Sequence, residues 1–108
     1  LLGHALQQVF LNTTVFGMPL QEAIEAPRLA SRSFPDSFWP HAYSPGKLEA
    51  ERRIPRETLD ALLAMGHSVA EWPEWEWRAG AVCAVKVGAE GTRWAGADPR
   101  RGCHAIAR

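Results

Sequence analysis

Residues 16–28 read FGMPLQEAIEAPR, and the parsing of this stretch decides the fold. Gly17-Met18-Pro19 ends one helix and opens another. Pro19 suits the first turn of a helix, where its missing N–H has no partner to lose. Leu20, Ala23 and Ile24 then fall at i, i+3 and i+4, on one helical face. Pro27 disfavours helical geometry at Ala26, so the helix ends there after about two turns. Arg28 follows directly, and an ion pair with a carboxylate that pins the helix end is expected of it. The unit is short and compressed, and its apolar face needs cover.

Upstream, residues 1–16 place Leu2, Leu6, Val9, Phe10 and Thr13 on one side of an amphipathic helix of about four turns. Leu1, Leu11 and Phe16 widen the stripe, so this helix is expected to pack on more than one neighbour. The chain opens inside this helix, with no Met and no signal-peptide pattern. A cleaved or truncated product would open in this way, and a fragment is therefore the expectation.

Downstream, SRSFPDSFWPHAYSPGK (31–47) breaks every period with three prolines and four aromatics. A strand over 29–33 leads into a long loop, and Phe34, Phe38, Trp39 and Tyr43 suggest that the loop docks on something. KLEAERRI (47–54) alternates weakly and is polar, so it reads as an edge strand. Pro55 opens a third helix with Leu59, Leu62 and Leu63 on one face, and Gly66 supplies its left-handed stop. Residues 67–72 read as a strand. In AGAVCAVKV (79–87) both faces are apolar, which predicts a central strand over 80–87 covered on both sides and pairing with 92–96 across VGAEGT. Cys83 reads as a small core residue of that strand. The order is α-α, loop, β, α, β, β-hairpin, tail, an α+β piece with too few helices to cover its hairpin.

Composition narrows the function. Lys plus Arg and Asp plus Glu are both 12, so the formal net charge is zero. Nucleic acid and anionic membrane surfaces ask for a basic face, which this chain lacks. No apolar run approaches the roughly 18 residues of a membrane span. Two cysteines are too few to name a compartment, and no spacing rule supports a disulfide between Cys83 and Cys103.

Candidate chemistry is sparse. His4, His41, His67 and His104 show no metal-ligand spacing, so no metal is expected. Cys103 and His104 are adjacent, and neighbours on an extended chain point apart, which rules out a dyad. Glu74 and Glu76 alternate with Trp72, Trp75 and Trp77. That pattern suits a sugar- or peptide-binding cleft, but packing of the tryptophans on a neighbouring layer is the simpler expectation. In GADPRRG (96–102), Asp98-Pro99 favours a turn in which Asp98 bonds its following backbone, and Arg100 can reach a carboxylate. A structural latch is expected there. No GxSxG, P-loop or GxGxxG occurs.

The stretch QVFLNTTVFGMPLQEAIEAPR (8–28) resembles the helix, Gly-Met turn and EAI-APR of gamma-glutamyltransferases. LDALLAMGHSV (59–69) is similar to a late helix of that family, and GADPRRG to its C-terminal DPRR-G signature. The three come in the family's order and together span nearly the whole chain. SFPDSFWPH, ERRIP and WPEW look like the family's bacterial acylase-like branch.

The resemblance implies an N-terminal-nucleophile hydrolase, a four-layer αββα sandwich made as a self-cleaving precursor. A freed threonine, with its own amine as base, attacks a gamma-glutamyl amide to form an acyl-enzyme that passes to water or an amino acid. Adjacent glycines donate N–H groups to the oxyanion. The implied setting is glutathione metabolism, and no cofactor is asked for.

On this resemblance residues 1–108 form a single partial domain, the C-terminal part of the small subunit. The family's nucleophile and glycine pair lie upstream of its corresponding helix. Thr13 and Thr14, at the helix end, are not candidates, and no catalytic or substrate-binding residue transfers. Arg28, Gly66, Asp98 and Arg100 are expected as framework. The expected partners are the large subunit and the N-terminal part of the small subunit, with self-association of the isolated chain. A free-standing binding module using residues 72–77, or a scaffold acting only by association, are the alternatives.

Overall fold

A computed structural model describes residues 2–108. In chain order the elements are α1 (Leu2–Thr14), α2 (Leu20–Glu25), β1 (Leu29–Ser31), β2 (Lys47–Glu51), α3 (Arg56–Ala64), β3 (Ser68–Trp72), a single 3₁₀ turn at Trp77–Ala79, β4 (Cys83–Val87) and β5 (Arg93–Ala97). The chain divides into two compact units, one of residues 1–26 with 77–108 and one of residues 27–76.

The first unit packs the helix pair on the hairpin. Ala5 and Val9 of α1, with Leu20, Ala23 and Ile24 of α2 and Val82 before β4, form its buried core. β4 and β5 pair antiparallel in register Cys83↔Ala97 through Val87↔Arg93. α2 lies directly on the β5 backbone, since a Cβ at Gly96 would sit 2.6 Å from Ile24 Cδ1. The Gln21 side chain meets both main-chain groups of Ala97, donating to its carbonyl at 2.9 Å and accepting from its N–H at 3.0 Å.

Cover is one-sided. Val82 is buried, whereas Cys83, Val85 and Val87 are exposed. The expectation of a buried Cys83 is corrected: it begins the strand on the uncovered face. The strand itself starts at residue 83, not 80. On α1 the helix forms as expected but the stripe is corrected: of Leu2, Leu6, Val9, Phe10 and Thr13 only Val9 is buried, together with Ala5, while Leu2, Leu6 and Phe10 are exposed.

The second unit is a three-stranded sheet in the order β1-β2-β3. β1 runs antiparallel to β2 in register Leu29↔Ala50 through Ser31↔Leu48, and β2 runs parallel to β3 with α3 as the crossover. The edge-strand expectation for 47–54 is therefore corrected, because β2 is central. Its charges are compatible with burial because they are paired. Glu49 Oε2 lies 2.6 Å from Arg32 Nη2, and Glu49 Oε1 lies 3.5 Å from Lys47 Nζ.

α3 ends as its sequence dictates. Gly66 has φ +97°, its N–H donates to Leu63 O at 3.0 Å, and the His67 N–H donates to Leu62 O at 3.2 Å. These two bonds are the Schellman pattern, which satisfies carbonyls the helix leaves open. Leu59 of α3 is buried, Leu62 half-buried and Leu63 exposed. The loop aromatics Phe34, Phe38, Trp39 and Tyr43 are exposed, and the Trp39 ring meets that of His41 edge-on at 5.9 Å.

Candidate functional site

Two buried polar networks, one in each unit, carry three of the residues that the sequence singles out. In the first unit the chain turns at Asp98-Pro99. Asp98 Oδ1 accepts the main-chain N–H of Arg100 at 3.0 Å, and Oδ2 accepts that of Val82 at 3.0 Å. Arg100 Nη1 lies 3.2 Å from Asp98 Oδ1 and also donates to Ile24 O at 2.9 Å. Its Nη2 donates to Ala26 O at 2.9 Å. Carbonyls at a helix C-terminus lack intrahelical partners and favour a cation. The planar guanidinium meets two of them at once. Both side chains are fully shielded from solvent. One ion pair thus joins the end of α2, the entry of β4 and the tail.

In the second unit Glu51 is the centre. Its side chain is wholly buried, and Oε2 accepts the main-chain N–H of Arg28 at 2.9 Å. Oε1 accepts the N–H of Glu76 at 3.0 Å, and Arg53 Nη2 lies 3.0 Å from Oε2. Arg28 is itself buried. Arg53 continues outward, donating to Glu74 O at 2.7 Å and standing 3.6 Å over the Trp75 ring. A carboxylate held by a cation and two amides is stable in the interior and closed to a substrate.

Among the described residues neither Thr13 nor Thr14 is paired with a base. The Thr13 hydroxyl donates to Phe10 O at 2.9 Å and that of Thr14 to Phe10 O at 2.7 Å, so both are bonded to their own helix. Among the described residues no three His, Cys, Asp or Glu side chains cluster as metal ligands would. The tryptophan segment gives no stacking platform. Trp72 is buried, Trp75 carries Arg53, and Trp77 carries Arg101 at 4.0 Å. Glu76 is buried and Glu74 is exposed, so the two carboxylates do not face one opening.

Two features escape sequence reasoning. The first is an open apolar groove of about 710 Å³ in the first unit, between α1 and β4, lined by Leu6, Val9, Phe10, Leu20, Val82 and Val85. Its signal is the apolar surplus of α1 and the hairpin. The second is a cysteine pair. The neighbouring Cys83 thiol, then burial, pushes the Cys103 thiol above its ordinary value.

A family model described as Gamma-glutamyltranspeptidase matches residues 3–107. Among solved structures, a variant of LmbA2991 superposes with a TM-score of 0.87 at 32% identity, over 97% of this chain and 19% of its own. Gamma-glutamyltranspeptidase from Pseudomonas nitroreducens, complexed with L-DON, gives 0.67 at 22% identity, over 96% of this chain and 49% of its own. Cephalosporin acylase from Bacillus halodurans gives 0.78 at 23% identity, over 96% of this chain and 17% of its own. The last two likenesses are likenesses of fold. No functionally curated protein matches the chain. The chain thus spans about a fifth of LmbA2991 and about half of the Pseudomonas chain.

Proposed function

The chain belongs to the gamma-glutamyltranspeptidase family, and from that premise we propose that residues 1–108 are the C-terminal framework of an N-terminal-nucleophile enzyme. The whole enzyme acts on gamma-glutamyl amides such as glutathione. In its first half-reaction a threonine hydroxyl attacks the gamma-carbonyl while its amine takes the proton, and the leaving amine departs with a proton returned. In the second, water or an amino acid attacks the acyl-enzyme and frees the threonine. The part assigned to this chain is support, with Arg28, Gly66, Asp98 and Arg100 holding helix ends, strand entry and tail.

The observation that carries this reading is the family match over residues 3–107 in a chain that spans only about a fifth to a half of the matched structures. The only two hydroxyls at a helix end near the family motif, those of Thr13 and Thr14, are bonded to carbonyls one turn back. Acyl transfer needs an activated nucleophile and oxyanion donors, and loss of one such donor alone typically costs about 10²–10³ in rate. The chain alone is therefore inactive.

The test compares purified residues 1–108 with the full-length protein that carries them, using a chromogenic gamma-glutamyl amide. Turnover by the full-length protein, and none by 1–108 above a heat-killed control, is the expected result. Turnover by 1–108 alone overturns the framework reading. An inert full-length protein that cleaves a cephalosporin side-chain amide instead keeps the framework and overturns the gamma-glutamyl donor.

A further inference from the structure

The chain passes between its two units twice, at Ala26-Pro27 and at Glu76-Trp77. Each unit secures its own side of both crossings. In the first unit two neighbouring cations do so. Arg100 Nη2 donates to the Ala26 carbonyl at 2.9 Å, and Arg101 donates through Nε and Nη2 to the Trp77 carbonyl at 3.1 and 3.0 Å. In the second unit a single carboxylate does so. Glu51 Oε2 accepts the Arg28 N–H at 2.9 Å, and Oε1 accepts the Glu76 N–H at 3.0 Å. The Glu51 main-chain N–H donates in turn to Arg28 O at 2.9 Å. Arg53, paired with the same carboxylate, donates to Glu74 O. The first and last turns of the inserted segment are thus held on the two oxygens of one wholly buried side chain.

Holding two distant points of a chain together costs entropy that grows with the length between them. Glu51 holds residues 28 and 76 from within the segment they bound, so the insertion closes on itself without help from the first unit. Its bonds to both ends are charge-assisted, the stronger kind of hydrogen bond. Loss of the carboxylate releases both ends together, and local opening in proteins follows such cooperative units. We propose that Glu51 is the clasp of a self-closing insertion, and that residues 27–76 open and close as one body independently of the unit that carries Asp98 and Arg100. This inference rests on hydrogen bonds inside each unit and not on the gamma-glutamyl reading, so activity and opening are measured separately.

The test is amide hydrogen exchange of the full-length protein in rising, sub-denaturing urea, read by peptic digestion and mass spectrometry. In the wild type, residues 29–31, 47–51 and 68–72 are expected to lose protection with one shared urea dependence, distinct from that of 83–87 and 93–97. Glu51→Gln keeps the volume but turns one acceptor into a donor. It is expected to speed exchange in the first three strands on the order of tenfold, and to leave the last two unchanged. Arg100→Ala is expected to do the reverse. A single urea dependence for all five strands of the wild type overturns the proposal, and this measurement stands even where Glu51→Gln fails to fold. Glu51→Gln that speeds all five strands alike, or none, also overturns it. So does faster exchange confined to one end of the insertion, which reduces Glu51 to a local bond.

Discussion

Arg100 reaches three acceptors from a position that water does not enter. Its removal takes the cation from the buried Asp98 carboxylate, which keeps its main-chain donors, and removes the guanidinium from the Ile24 and Ala26 carbonyls together. Loss of one partner of a buried ion pair costs about 3–5 kcal/mol. Arg100→Ala is therefore expected to destabilise the protein by about that amount, measured by urea unfolding. Arg100→Lys should recover little, because an ammonium cannot present the planar fork that spans both carbonyls. Equal stability of Arg100→Ala and wild type would refute the latch. This residue was legible because the chemistry of Asp98-Pro99-Arg100 is local: a turn, an acceptor and a cation within three positions. Glu51 was not legible. Its partners come from residues 28, 53 and 76, and no window of sequence places them together.

At the scale of elements, the stops are written in the sequence and the neighbours are not. Pro27 and Gly66 follow helix ends because ring closure and left-handed backbone act on the residue itself. At Gly66 a Cβ would meet nothing within 4 Å, so any penalty there is conformational. Gly66→Ala is expected to cost roughly 1–2 kcal/mol through its φ of +97°. Gly102 also has open space for a Cβ, without a positive φ. Gly102→Ala is the control and should stay within about 0.5 kcal/mol of wild type. Thermal unfolding of both variants decides the matter, and equal losses would show that backbone handedness is not the cause. β2 shows the opposite limit. Alternating charges on a short strand normally mark an edge. Here ion pairs and main-chain donors make Glu49 and Glu51 compatible with a central position. Cys83 was misplaced for a related reason: an apolar run on both faces states a need for cover without showing which face receives it.

At the scale of the whole molecule, three ordered motifs made the family legible, since each fixes a turn or a cap at a set distance from the next. No such signal disclosed which surfaces stay open. Leu6 (50%), Phe10 (64%) and Val85 (56%) are at least half exposed and line one groove in the first unit. Burial of a large apolar side chain is worth about 1.5–3 kcal/mol, so an isolated chain gains by covering such residues with another copy. In the proposed parent enzyme the remainder of the precursor provides that cover. Purified residues 1–108 are therefore expected to self-associate with rising concentration in sedimentation, and to bind a hydrophobic dye when dilute. Phe10→Asp places a charge in the groove at an exposed helical position, where it should spare the fold and shift the population toward monomer. Retained circular dichroism in that variant separates lost association from lost structure. Wild-type chain that stays monomeric at every concentration and binds no dye would show that the groove needs no cover. The assignment of residues 1–108 as part of a larger folded body would then lose its physical support.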